Sequence, residues 1–222
     1  MDLRSGLPFW LIKNGLPYSY PQLDHAIDTD VVILGGGISG ALMGYYLVNA
    51  GIDCVIIDSR TIGLGSTCAS TALLQYEIDV SLTELTDKIG HSKAAKAYLL
   101  GVESIDLLHR ICGDMGFEEF EFKNSLYYAV HKKDIAWLKK EYEARKQIGI
   151  DLEYLEAGTF GSTKDGLPFI GPYTKLPRSY FALGFGGNGI TFSVIAAKMI
   201  TEMILENQRS DTVIFGFDRL EK

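Results

Sequence analysis

Three glycines, Gly35, Gly37 and Gly40, stand at G-x-G-x-x-G spacing, and Asp58 follows 18 positions after the last of them. Residues of these types at this spacing suit the binding of a dinucleotide. Gly35 permits a tight turn, Gly37 lets the backbone approach a pyrophosphate, and Gly40 allows close helix–strand packing. The N-terminus of the helix that follows offers free N–H groups to the phosphates. Asp58, with Ser59 and Arg60 behind it, is placed to accept hydrogen bonds from ribose hydroxyls. A second glycine-rich loop, Gly184-Phe185-Gly186-Gly187-Asn188-Gly189, precedes another helical stretch from about Ile190. Backbone N–H groups there could stabilise negative charge developing on an electron-rich ring such as a reduced flavin.

The elements that must position these residues are legible in the same stretch. Val31 to Leu34 is a short apolar, mostly β-branched run, predicted as a strand buried on both faces. Ala41 to Asn49 is predicted as a helix closed by Gly51, and Cys54 to Ile57 as the next strand. Two other readings compete. The uncharged span from Val31 to Ile52 is long enough to cross a bilayer, but its glycines, Asn49 and two element types argue against that. Alternatively the glycines only pack, as they also could in the second loop.

A chain of 222 residues can bury a real core in one or two domains. With 47% hydrophobic and 22% charged residues it reads as globular rather than disordered. A net charge of −7 without a basic patch argues against nucleic-acid partners and against anionic membranes. Cys54, Cys68 and Cys112 are odd in number and lack metal-ligand spacing, so neither a disulfide framework nor a metal site is expected, and Cys54 reads as a core residue. No secretory signal is visible in the first residues, and a cytoplasmic location is the expectation.

Residues 1–28 are an aromatic, proline-bearing arm with Phe9, Trp10, Tyr18 and Tyr20, expected to lie across the main domain. Ser81 and Glu84 have capping-box spacing before a helix near Leu82. Ser92 is a candidate cap for a longer helix to Cys112, with Tyr98, Gly101, Ile105, Leu108 and Cys112 on one stripe and Gly113 or Gly116 as its stop. Ser125 to Val130 reads as a strand ending in a lone His131. Asp134 to Ile148 reads as an amphipathic helix with Ile135, Leu138, Tyr142 and Arg145 spaced along it, a Glu141–Arg145 pair, and lysines on a solvated face. KDGLPFIGP, from Lys164, reads as a rigid turn-rich stretch, Ser179 to Leu183 as a strand, and Ile190 to Leu205 as a helix.

Four segments together carry a family likeness: PFW…PQL before DVVILGGGISG, IIDSRTIGLGSTCAST, TKDGLPFIGP, and SYFALGFGGNGITFS with its helix. The tail DTVIFGFDRL adds to it. On these residues the chain resembles the flavin-dependent amine and D-amino-acid oxidase superfamily, which includes glycine oxidase and sarcosine oxidase, and especially its γ-glutamylputrescine-oxidase-like branch. The resemblance implies an α/β architecture: a doubly wound, Rossmann-like FAD-binding domain of the GR2 type with a truncated α+β substrate domain. It divides the chain into the arm (1–28), the first part of the FAD domain (29–115), a substrate-domain remnant (116–157) and the closing part of the FAD domain (158–222). It implies that Gly35, Gly37, Ile38, Ser39 and Gly40 wrap the pyrophosphate and that Asp58, Ser59 and Arg60 serve the adenosine ribose. Ser66 and Thr67 would approach the pyrophosphate and ring, and Gly186, Gly187, Asn188, Gly189 and Ile190 would border the flavin O2 edge. No cysteine follows Cys112, so the FAD is expected to be non-covalent.

The likeness breaks in the middle. Family members carry most of a substrate-binding sheet, and a strand of the FAD domain, where Leu155 and Thr159 are here almost adjacent. The resemblance therefore implies oxidation of a C–N bond in an amine or amino acid, while naming no catalytic acid or base. A sheet missing strands exposes an edge, which a homo-oligomer or an exchanged strand could cover. A non-catalytic nucleotide-binding module, an NAD-dependent dehydrogenase using the first loop alone, and a cofactor-free assembly protein remain as alternatives.

Overall fold

Alternation along a strand explains the first element pair. In the computed structural model, which describes residues 6–15, 18–123, 127, 132–150, 163–206 and 212–220, strand β1 (Val31–Leu34) runs parallel to β2 (Cys54–Ile57), joined by helix α2 (Ile38–Asn49). Ile33 and Ile56 point to α2 and meet it at Gly44, where an added Cβ would lie 3.1 Å from Ile56 Cδ1. Side chains one residue away point to the opposite face, and there Val32 is 52% and Leu34 80% exposed. The expectation of a strand buried on both faces is thus corrected: α2 covers one face only. Cys54 is half-buried, not a core residue, and the same burial raises its thiol pKa.

The chain divides into two compact units. The first comprises Met1–Leu73 with Ala196–Arg209 and holds α1 (Phe9–Asn14), β1, α2, β2 and a 3-10 turn at Ser66–Ala69. The second comprises Leu74–Ile195 with Ser210–Lys222. It holds helices α3 (Leu82–Ile89), α4 (His91–Asp114) and α5 (Ile135–Gln147), an antiparallel hairpin β3 (Phe169–Tyr173) with β4 (Leu176–Leu183), and the short α7 (Thr212–Phe215). Helix α6 (Gly189–Glu206) contributes to both units, and Phe192, Val194, Ile195, Ala197, Ile200 and Met203 bury nearly all its faces.

Several predicted elements appear where their caps lie. Ser81 Oγ accepts the Glu84 N–H at 3.2 Å at the start of α3. Helix α4 starts at His91 behind Gly90 instead of at a Ser92 cap, and it stops at Gly116, whose φ of 68° only glycine adopts readily. The KDGLPFIGP stretch is partly extended: Phe169–Tyr173 pairs with β4, so a strand stands where turns were expected. The strand expected over Ser125–Val130 lies outside the described residues except for Tyr127, as do His131 and the break near Leu155.

Helix α5 departs most from its pattern. Its buried residues are Glu141 and Arg145, while Ile135 and Tyr142 are exposed. The Glu141 carboxylate accepts the N–H groups of Leu82 (2.8 Å) and Thr83 (2.9 Å) and the Thr83 hydroxyl (2.8 Å), so it caps α3 from another helix. Arg145 Nε donates to it at 2.7 Å, and the guanidinium lies over the Tyr76, Tyr98 and Tyr127 rings. Burial alone would raise the Glu141 carboxyl, but Thr83 N–H and Arg145 together hold it below its ordinary value. The same surroundings push Tyr76 up to about 12, chiefly by burial. The Glu141–Arg145 pair expected from i,i+4 spacing is present, and it is a buried joint.

Candidate dinucleotide site

The first glycine turn is built from backbone up. Gly35 adopts φ 113° and continues the sheet by donating to Ile57 O at 2.8 Å. Gly36 N–H donates to Asp58 Oδ2 at 2.8 Å, and Arg60 N–H to Asp58 Oδ1 at 2.8 Å. Gly63 N–H closes the turn on Gly36 O at 2.9 Å. The carboxylate is therefore oriented by the very loop it faces. The Gly36 N–H is the main reason its pKa sits below the ordinary value, with Arg60 N–H next. Each carboxylate oxygen keeps a further lone pair for an outside donor.

Packing leaves no space for side chains at Gly37 and Gly40. A Cβ at Gly40 would collide with Gly35 O, and one at Gly37 would lie 2.9 Å from Thr67 Oγ1. Thr67 comes from the Ser66–Ala69 turn, and its hydroxyl accepts the Ile38 N–H at 3.0 Å, at the N-terminus of α2. An open groove of about 1080 Å³ borders the turn, lined among others by Tyr20, Leu34, Gly35, Asp58 and Arg60. Within this unit the structure brings Gly35, Gly37, Ile38, Gly40, Asp58 and Thr67 together. Ser39 follows in the first turn of α2, Ser59 and Arg60 line the groove, and Ser66 is exposed at the start of its turn.

The second loop belongs to the other unit. Gly186 has φ 59°, Asn188 N–H donates to Phe185 O at 3.2 Å, and Asn188 is buried. Gly189 and Ile190 open α6, and Thr191 Oγ1 donates to Gln75 O at 3.1 Å. Gly187 N–H, read from the sequence as facing an anionic ring edge, donates to Asp79 Oδ2 at 3.3 Å. Nothing in the sequence around Asp79 announces this contact, which joins residues 108 positions apart. Gly36 also escaped sequence reasoning, because it fills a variable position of the glycine motif. Among the described residues no His/Cys/Asp/Glu cluster suits a metal ion, and no helix is long and apolar enough to cross a membrane.

A parallel βαβ unit with a bare glycine turn and an acid at the end of its second strand is the opening unit of a Rossmann-like fold. The chain belongs to the DAO family of FAD dependent oxidoreductases, whose model matches residues 30–161, more than half its length. Family membership carries the Rossmann-like FAD-binding fold, of which β1, α2 and β2 are the visible opening. The chain is 26% identical over 149 residues to the "Putative Rieske 2Fe-2S iron-sulfur protein YhfW" of Bacillus subtilis, covering 67% of this chain and 29% of that protein. It is 26% identical over 156 residues to the γ-glutamylputrescine oxidoreductase of Escherichia coli, covering 62% and 33%. The chain thus spans about a third of the length of these relatives. Among solved structures it is similar to an L-amino acid deaminase from Proteus vulgaris lacking its specific insertion sequence, at a TM-score of 0.44 and 16% identity over 84% of this chain and 46% of that one.

Proposed function

We propose that this chain binds FAD non-covalently and serves the oxidation of a C–N bond in an amine or amino acid. The observation that carries the reading is the turn itself, where Asp58, Gly36 and Thr67 hold an uncluttered backbone against the positive end of α2. In this reading the turn from Gly35 to Gly40 cradles the pyrophosphate. Asp58 takes the ribose hydroxyls, with Ser59 and Arg60 beside it. Thr67 offers its remaining O–H to a phosphate oxygen, and Ser66 flanks it. Gly186 to Ile190 borders the ring. When bound, the flavin supplies a hydride acceptor at N5, and the oxidised amine becomes an imine that water hydrolyses. The arm, the two FAD-domain parts and the substrate-domain remnant keep the boundaries read from the sequence, and a cytoplasmic location and a homo-oligomer belong to the same proposal.

The absorption spectrum of the purified protein tests the cofactor. Flavin bands in the visible, retained through desalting and released by denaturation, are expected. A colourless chain that takes up no added FAD ends the proposal. Reduction of the bound flavin by an added amine or amino acid tests the reaction.

The Asp79 contact favours a second reading, a nucleotide-binding module that uses the first loop alone. A carboxylate on Gly187 N–H competes with any anionic group brought there. Binding of NAD, or of ADP as tightly as FAD, is the outcome that selects it.

A further inference from the structure

The arm before the first strand holds a residue that reaches the glycine turn through two intervening contacts. Helix α1 is six residues long and buries none of its residues, and Phe9 and Ile12 are 63% and 69% exposed. Such a short helix is not stable alone. Trp10 ties it to a distant segment: the indole Nε1–H donates to Ser70 O at 2.7 Å, across 60 positions. Ser70 N–H in turn donates to Thr67 O at 3.2 Å, closing the Ser66–Ala69 turn. That turn presents Thr67 Oγ1 to the Ile38 N–H and sets it against Gly37.

We infer that Trp10 is a positioning residue of the pyrophosphate cradle, acting through the Ser66–Ser70 turn to seat the Thr67 hydroxyl at the N-terminus of α2. The inference rests on the FAD reading for its ligand, a dinucleotide pyrophosphate, but its geometry belongs to the chain alone. Thr67 is β-branched and stiff at χ1, so the placement of its backbone decides where its hydroxyl stands. The hydroxyl accepts one N–H and still has its own O–H to donate, which a phosphate oxygen can accept. Trp10 fixes that backbone from the carbonyl side of the turn. Release of the indole frees the turn without altering any group that would touch the ligand.

The test is a double-mutant cycle on FAD affinity with Trp10→Phe, which keeps an aromatic ring and removes the donor, and Thr67→Val, which keeps the shape and removes the hydroxyl. Trp10→Phe is expected to weaken FAD binding about fivefold, the worth of one hydrogen bond. In the Thr67→Val background it is expected to have no further effect, because its action passes through that hydroxyl. Equal affinity in the single variant, or the same fivefold loss in both backgrounds, overturns the inference. Amide hydrogen exchange of the FAD-free chain gives an independent reading. Exchange at Ile38 should quicken in Trp10→Phe while Tyr98 in the second unit is unchanged, and unchanged exchange at Ile38 overturns the inference. If the unaltered chain binds no FAD, the proposed function fails, and exchange at Ile38 alone then decides the role of Trp10.

Discussion

Helices α2 and α3 both receive a side-chain oxygen at their N-termini from a distant segment, and they differ in everything around it. At α3 the acceptor is the Glu141 carboxylate, which takes two backbone N–H groups and a hydroxyl, is buried, and is neutralised by Arg145. At α2 it is a single neutral hydroxyl, Thr67, beside glycines and an exposed carboxylate. The first N-terminus is a finished joint with charge balanced inside the fold. The second keeps a Thr67 O–H and Asp58 lone pairs left over beside its positive end, which is what an anionic ligand with hydroxyls requires. The N-terminus of α6 is intermediate: just before it, an exposed carboxylate, Asp79, accepts the Gly187 N–H at 3.3 Å. A helix start is a strut or a site according to what already satisfies it.

The comparison breaks first at the joint. Glu141→Ala leaves Arg145 buried with only longer polar contacts, to Glu77 and to the Tyr76 hydroxyl at 3.4 Å each, and should cost about 3–5 kcal/mol in urea denaturation. The pH dependence carries a sign. The folded Glu141 carboxyl lies below its ordinary 4.5, so its stabilisation is complete above that value and disappears as pH falls through the lower folded value. Glu141→Gln should flatten that acid slope; an unchanged slope places the acid sensitivity elsewhere. Next comes the first glycine turn. Gly40→Ala drives a Cβ into Gly35 O and should destabilise by about 1–3 kcal/mol, with loss of FAD uptake read by the visible spectrum.

Asp79→Ala sharpens the intermediate case. Removing a competing carboxylate from Gly187 N–H should tighten FAD binding about fivefold by titration, if the ring edge is seated there. No change in affinity would argue for a ligand held at α2 alone. The smallest effect belongs to Gly189→Ala. Its Cβ would meet nothing within 4 Å, so the FAD-free melting curve should shift by no more than about 0.5 kcal/mol. Weaker FAD binding in a variant so little disturbed would then report the ring edge directly.

Local order was the legible part. Ser81 and Glu84 announced α3 because a capping box acts within four residues. The glycine turn announced α2 because its spacing is set by one backbone turn and one close packing contact. Reading failed where burial depends on neighbours far along the chain. Val32 and Leu34 have the same chemistry as Ile33, yet only Ile33 meets α2 at Gly44. Of the stripe Ile135, Leu138, Tyr142 and Arg145 along α5, Arg145 is buried while Ile135 and Tyr142 are exposed, because Glu141 turns inward to cap α3 and Arg145 goes with it.

By itself the sequence determined a strand, a bare turn, a helix and an acid at the end of the next strand, because each follows from residue types a few positions apart. The tertiary structure alone decided what those parts touch. Asp58 closes on Gly36 from 22 positions away, Thr67 on Ile38 from 29, Trp10 on Ser70 from 60 and Asp79 on Gly187 from 108. Contacts of that separation leave no spacing rule in the chain, since the partner is chosen by packing and by which donors and acceptors are still unsatisfied once it is complete.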